Sequence, residues 1–372
     1  MSFKQYLSTN VLEEARKRIN YIFDEFENII VSISGGKDST VMAHLALVEA
    51  HKRGRKIGLF FLDEEVMYKA TIEQVEYLMS LYPENTTRFW LQIPFNLTNS
   101  SSLEQGQVNC WDIKDKPRWM HKRSKNNICV QPWSHETKVA DKNKGFGYYD
   151  VISNFELMTK NTAHLVGLRA DESLNRYRAM VKNPGYKDIY WSTKRNNNGN
   201  YAFYPLYDWS FNDIWKYIGE TGIRYHKYYD FCFLKGVPAH AMRVSSLTHE
   251  KSFKSIADLP EFEPDTYDKL LKRIKGISFA QETAKNKKMF KVQNLPKAYK
   301  SWIEYRDFLL ETYPDKDKID IFKRRFAHHL NNDYVARQQC RQLVLNDYEN
   351  NLPVDNREDP KIEKIKYWLE VL

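Results

Sequence analysis

A β-branched run, Ile29-Ile30-Val31-Ser32-Ile33, passes directly into Ser34-Gly35-Gly36-Lys37-Asp38-Ser39, and helical spacing resumes from Thr40 to Lys52. A short apolar run of this kind suits a strand buried on both faces of a parallel sheet. The turn between strand and helix has the composition of a phosphate site. Its glycines allow close backbone approach, Lys37 brings charge to anionic oxygens, and a helix N-terminus leaves N–H groups pointing outward. Gly-Gly alone suits a plain turn, and Asp38 or Ser39 alone suits a helix cap. A lysine adds nothing to either, whereas it completes an anion cradle. The spacing differs from the Walker pattern, which has four residues between its first glycine and its Gly-Lys, so kinase-like or GTPase-like transfer is not implied.

The flanking segments extend this into a fold. Leu12 to Phe26 carries apolar residues at helical spacing, Ile57 to Leu62 is a second strand ending at Asp63, a helix follows from about Lys69 to Leu81, and Arg88 to Ile93 is a third strand. That alternation predicts an α/β, doubly wound, mostly parallel sheet. From Asn96 to about Gly147 the pattern breaks into a Ser-, Asn-, Trp- and Lys-rich stretch, read as an irregular insertion over one sheet edge. The sheet returns at Ala163 to Gly167, and Ser210 N-caps a helix carrying Phe211, Ile214, Trp215 and Ile218. The domain that carries this turn is expected to span 1–222, with its insertion at about 96–147. Residues 223–372 form a mostly helical C-terminal region, with helices at 265–275, 299–312, 319–330 and 362–371.

At 372 residues the chain has the length of one elaborated domain or two. The opening residues are polar, and no apolar run reaches the length that crosses a bilayer, so a cytoplasmic protein without membrane association is expected. A formal net charge of +9 favours polyanionic partners. The four cysteines, Cys110, Cys129, Cys232 and Cys340, are too scattered for a disulfide framework. Cys110, His121, Cys129 and His135 lack the close Cys pair of common zinc sites, so zinc is not expected.

Three separated segments resemble the PP-loop adenine nucleotide α-hydrolase superfamily, with its Rossmann-like HUP fold, in the branch of phosphoadenosine phosphosulfate (PAPS) reductases and ATP sulfurylase small subunits. Ser34 to Ser39 matches that family's SGGKDS. Asp63 stands where the family has an acidic residue ending the second strand. Gly167-Leu168-Arg169-Ala170-Asp171-Glu172-Ser173 matches its G-x-R-x-x-E-S, and Pro205 to Ser210 with Asp213-Ile214-Trp215 is similar to the helix signature that follows. Val237 to Val244 and the tail beyond resemble IbrA-like proteins, known as phosphoadenosine phosphosulfate sulfurtransferases or prophage gene-expression co-activators.

The resemblance implies a site for ATP or a PAPS-like sulfonucleotide at Ser34, Gly35, Gly36, Lys37, Asp38, Ser39, Asp63, Gly167, Arg169 and Glu172. Lys37, Asp38 and Arg169 are the expected catalytic residues, acting at the α-phosphate by charge stabilisation. Asp38 and Asp63 either hold magnesium or cap helices. Arg169 offers a planar fork to phosphate or sulfate, with Glu172 orienting it or forming a plain loop salt bridge. The reductases' C-terminal Glu-Cys-Gly-Leu-His segment does not occur, and neither do paired cysteines for an iron–sulfur cluster. Cys340 sits in a helical pattern that suits an inert thiol. The alternative function is a nucleotide-responsive regulator with little turnover, partnered by DNA or by a ParB-like nuclease-domain protein. Basic clusters at Lys269 to Lys275, Lys285 to Lys291 and Lys323-Arg324-Arg325, with Phe290, Phe322 and Phe326 among them, are the expected nucleic-acid or partner face, although the same spacing suits core aromatics.

Overall fold

The computed structural model describes residues 8–102, 104–124, 126–140, 145–181, 185–249, 252–278 and 294–362. Within them the chain forms two compact units, the first from 1–94, 121–140 and 146–244, the second from 95–120, 141–145 and 245–372.

The first unit opens with helix α1 (Val11–Glu25), whose N-cap Asn10 accepts from the Glu13 N–H, and continues through β1 (Asn28–Ser32), α2 (Lys37–Lys52), β2 (Ile57–Leu62), α3 (Lys69–Ser80) and β3 (Thr86–Leu91). Two further strands, β4 (Phe95–Thr98) and β5 (Gln107–Cys110), leave this unit as an antiparallel hairpin of the second. The first unit resumes with α4 (Tyr148–Leu157), β6 (Thr162–Val166), α5 (Leu174–Val181), β7 (Ser192–Lys194), β8 (Tyr201–Phe203), α6 (Phe211–Thr221) and α7 (Tyr228–Leu234). Its sheet has the order β3-β2-β1-β6-β8-β7, parallel throughout except for the edge strand β7. The chain winds outward from β1 to β3 and returns to the other side of β1 at β6. The carboxyl ends of β1 and β6 therefore flank the switch point, the usual place for a ligand in an open α/β sheet.

Strand parity sorts the layers, because successive side chains point to opposite faces. Ile29, Val31, Leu59 and Phe61 join one buried core with Ile22 of α1, Leu45 of α2, Leu78 of α3 and Ile214 of α6. Phe60, of the other parity, packs against Phe155 of α4 with ring centroids 4.5 Å apart. Helices thus cover both faces, and the sheet is the doubly wound, mostly parallel one expected. Ser210 caps α6 with its side chain accepting from the Asp213 N–H, and Asp213 reciprocates to the Ser210 N–H, a pairing that satisfies two donors the helix leaves open.

The insertion departs from expectation. Residues 121–140, and the end of the insertion from 146, stay with the first unit, where the backbone of Ile128 pairs with Trp90 and Gln92 beside edge strand β3. Residues 95–120 belong to the second unit, held there by partners far away in sequence: the Arg273 guanidinium donates to the Asn109 carbonyl at 2.8 Å, and the Asn346 amide to those of Asn99 and Ser102. Among its described residues the unit also carries five α-helices: α8 (Phe253–Phe262), α9 (Pro264–Arg273), α10 (Trp302–Glu311), α11 (Ile319–Phe326) and α12 (Asp333–Val344). The first unit also runs on through α7 to Val244, past Gly222. The helix expected at 362–371 lies, beyond Ile362, outside the described residues.

Candidate functional site

The turn after β1 is closed by its own serines. Ser39 Oγ accepts from the Ser34 N–H at 3.1 Å and donates to the Gly36 carbonyl at 3.0 Å, and the two serine hydroxyls lie 3.1 Å apart. Ser34 and Ser39 therefore shape the turn. Gly35 is in the left-handed region at φ 76°, where a side chain is strained and a Cβ would press on Thr71. Gly36 is the N-cap of α2, extended and with no side-chain cap bond.

Lys37 and Asp38 begin α2, and Arg169 follows β6. Lys37 Nζ lies 3.0 Å from Asp38 Oδ2, and Arg169 Nε lies 2.5 Å from Asp38 Oδ1. The lysine and arginine side chains are 6% and 5% exposed, that of Asp38 14%. Two covered cations thus converge on one carboxylate at the switch point, with the field of the α2 N-terminus behind it. Asp38, and not Glu172, orients Arg169; Glu172 faces Arg176 of α5 at 3.7 Å. Gly167 brings these loops together, since a Cβ there would fall 2.6 Å from the Asp38 carbonyl oxygen. The close approach this glycine permits is therefore to the first turn of α2.

Tyr229 of α7 was not legible as a site residue. Its hydroxyl accepts from the Lys37 N–H at 3.3 Å, and its ring and that of Phe211 lie 5.5 and 5.6 Å from Lys37 Nζ. Burial pushes the phenol up, so it stays protonated and keeps a hydrogen to donate. In the sequence Tyr229 shows only the apolar spacing of a helix.

Asp63 ends β2 as expected, but it is fully buried and engaged. Its Oδ2 accepts from Trp90 Nε1 at 2.8 Å, Gln92 Nε2 at 3.0 Å and His121 Nε2 at 2.9 Å, and its Oδ1 from the Glu65 N–H at 2.8 Å. Neither carboxylate fits the expected magnesium site: Asp38 faces two protein cations, and Asp63 faces four protein donors. Among the described residues no group of three or more His, Cys, Asp or Glu is placed to hold a metal ion.

The remaining candidates are dispersed. Cys110 is buried in β5, His121 is bound to Asp63, Cys129 faces the Ser124 and Asn127 carbonyls, and His135 contacts Asn154. Cys340 is buried on α12, and burial pushes its thiol up to about 12. The C-terminal aromatics are core: Phe322 and Phe326 pack with Tyr313, Leu343 and Tyr348. Arg325 donates to the Asp347 and Tyr348 carbonyls, and Arg273 is buried against Asp115, so part of the Lys269–Lys275 cluster and part of the Lys323–Arg325 cluster hold the fold together. Phe290 and Lys285 to Lys291 lie outside the described residues. No helix among the described residues is long and apolar enough to cross a membrane.

Residues 28–260 match the phosphoadenosine phosphosulfate reductase domain, and 236–351 match a domain of unknown function, DUF3440. The chain is 28% identical over 349 residues to the uncharacterized protein YbdN of Escherichia coli (strain K12), covering 88% of this chain and 81% of that protein. It is 23% identical over 228 residues to adenosine 5'-phosphosulfate reductase of Staphylococcus saprophyticus, covering 60% of this chain and 75% of the relative. Among solved structures, phosphoadenylyl-sulfate reductase from Candida auris in a phosphate complex aligns with a TM-score of 0.35 at 14% identity, over 62% of this chain and 94% of that one. FMN adenylyltransferase of Candida glabrata, with FAD and inorganic pyrophosphate, aligns at 0.34 and 14% identity, over 59% and 58%.

Proposed function

We propose that this chain, which belongs to the phosphoadenosine phosphosulfate reductase domain family, binds the anionic group of an adenine nucleotide, ATP or a PAPS-like sulfonucleotide, between the Ser34–Ser39 turn and Arg169. The observation that carries this reading is the convergence of Lys37 and Arg169, from two separate loops, on a single carboxylate at the switch point. Covered cations held by a fold at the carboxyl ends of its strands make a preorganised anion site, where charge is worth more than in water.

The chemistry that fits these residues is transfer at phosphorus or sulfur without a protein nucleophile. Lys37 and Arg169 offset negative charge as it moves onto leaving oxygens, and the Tyr229 hydroxyl fixes the first turn of α2. Attack at the α-phosphate with pyrophosphate departing is one such reaction, and sulfuryl transfer is another. Reduction through Cys340 is not supported, because a buried thiol with its pKa raised to about 12 supplies almost no thiolate near neutrality. The likeness of Val237 to Val244 to IbrA-like proteins agrees with a sulfurtransferase role.

Mass spectrometry of nucleotide copurifying with the protein, followed by turnover assays with ATP, adenylyl sulfate and PAPS, tests the reading. AMP and pyrophosphate formation, or sulfuryl transfer, supports the enzyme. Tight nucleotide binding without turnover points to the regulator. Absence of adenine-nucleotide binding overturns both.

A further inference from the structure

We propose that Asp38 is an internal competitor for the anion site, a carboxylate that holds Lys37 and Arg169 in place and sets the threshold an incoming anion must exceed. The inference rests on the nucleotide reading and deepens it, since it concerns what the same site admits.

Each Asp38 oxygen engages a different cation: Oδ2 meets Lys37 Nζ at 3.0 Å, and Oδ1 meets Arg169 Nε at 2.5 Å. These are the donors a phosphoryl or sulfuryl group needs. A carboxylate bridging an ammonium and a guanidinium presents two anionic oxygens where such a group presents its own. The remaining contacts of the site point the same way. Ser34 and Ser39 bond to each other and to the turn, and the Lys37 N–H is taken by Tyr229, so among these described groups the two cations are the charge left to meet an anion. Asp38 is the least covered of the three charged groups, which leaves it a way toward solvent, whereas both cations are walled in. An entering anion therefore either displaces the carboxylate or shares the cations with it, and both cost free energy.

That cost is nearly the same for every anion. A nucleotide offsets it with contacts made by its base and ribose. Orthophosphate has no such contacts and is held off. Asp38 thus acts as a positioning residue that keeps the cations preorganised and raises the binding threshold for every anion alike, so that a small inorganic anion falls below it while a nucleotide, with its further contacts, clears it.

The test is Asp38→Asn, which keeps shape and removes charge, with Asp38→Ser as a second charge-removing variant. Orthophosphate, pyrophosphate and ATP are titrated calorimetrically into wild type and variants. Loss of one like charge at this range should tighten all three by about tenfold or more. Where a variant is marginally stable, its melting temperature should rise more on adding orthophosphate than that of wild type. ATP binding by wild type, with no tightening for any probe in folded variants and no larger thermal shift, overturns the role of Asp38. Tighter pyrophosphate with no ATP binding by any of the proteins upholds Asp38 and overturns the nucleotide reading. No anion binding by wild type or variants overturns both.

Discussion

Arg169 Nε lies 2.5 Å from Asp38 Oδ1, so the loop after β6 is tied to the first turn of α2 across the point where the sheet's winding reverses. Two loops separated by more than a hundred residues meet there through charge, and the main functional predictions follow from that contact.

Lys37→Ala and Arg169→Ala should each weaken adenine-nucleotide binding by about 1–3 kcal/mol, the scale of a lost charge-assisted hydrogen bond. Both side chains end in a charge at the site and lie outside the main apolar core. Calorimetric titration, with circular dichroism to verify folding, checks this; unchanged affinity in both variants removes the basis for the cradle.

Asp63→Ala should be strongly destabilising, because it takes the carboxylate away from the buried donors of Trp90, Gln92 and Glu65 and from the partly exposed His121. A loss of about 3–5 kcal/mol is expected for removing a buried charged partner. Urea unfolding measures it. A loss below about 1 kcal/mol, the scale of a single ordinary hydrogen bond, would show that the cluster is not a structural hub.

Two buried histidines make the first unit acid-sensitive. Burial pushes His164 and His226 down to about 3. His226 Nδ1 accepts from the Tyr228 N–H, so Nε2 carries the hydrogen it donates to Thr71, and a second proton would point at an N–H. The folded pKa lies below the unfolded value near 6.5, so the unfolded state takes up protons first. Stability should be flat with respect to these groups above about pH 7 and fall below about pH 6.5, by up to ~1.4 kcal/mol per pH unit for each histidine. Urea midpoints measured from pH 7.5 downward check this, and the His226→Gln variant should show a shallower slope than wild type.

Cys340 should resist alkylation at about pH 8 in the folded protein, since burial raises its thiol and its Sγ faces the Trp302 carbonyl at 3.7 Å. Thioredoxin-dependent sulfite release from PAPS should be absent. Robust release that disappears in Cys340→Ser would establish a reductase.

The alternation of buried strands and helices, the Ser34–Ser39 turn and the Gly167–Ser173 loop were legible in the sequence because local rules govern them: strand period, helix period, capping and the backbone freedom of glycine. Those rules placed β2 at Ile57–Leu62, Ser210 as the cap of α6 and Arg169 just beyond β6. Tertiary structure decided which charges meet. Asp38, whose residue type and position suit a metal ligand or a cap, bridges Lys37 and Arg169, and Asp63, which suits the same roles, gathers donors from Trp90, Gln92 and His121. Tyr229 reaches the Lys37 amide from a helix nearly two hundred residues away. The insertion divided between two units because Arg273 and Asn346 satisfy its backbone carbonyls, and Phe322 and Phe326 turned inward to make a core. Side-chain pairing of this kind depends on geometry in space, and periodicity along the chain records only which face a residue is on.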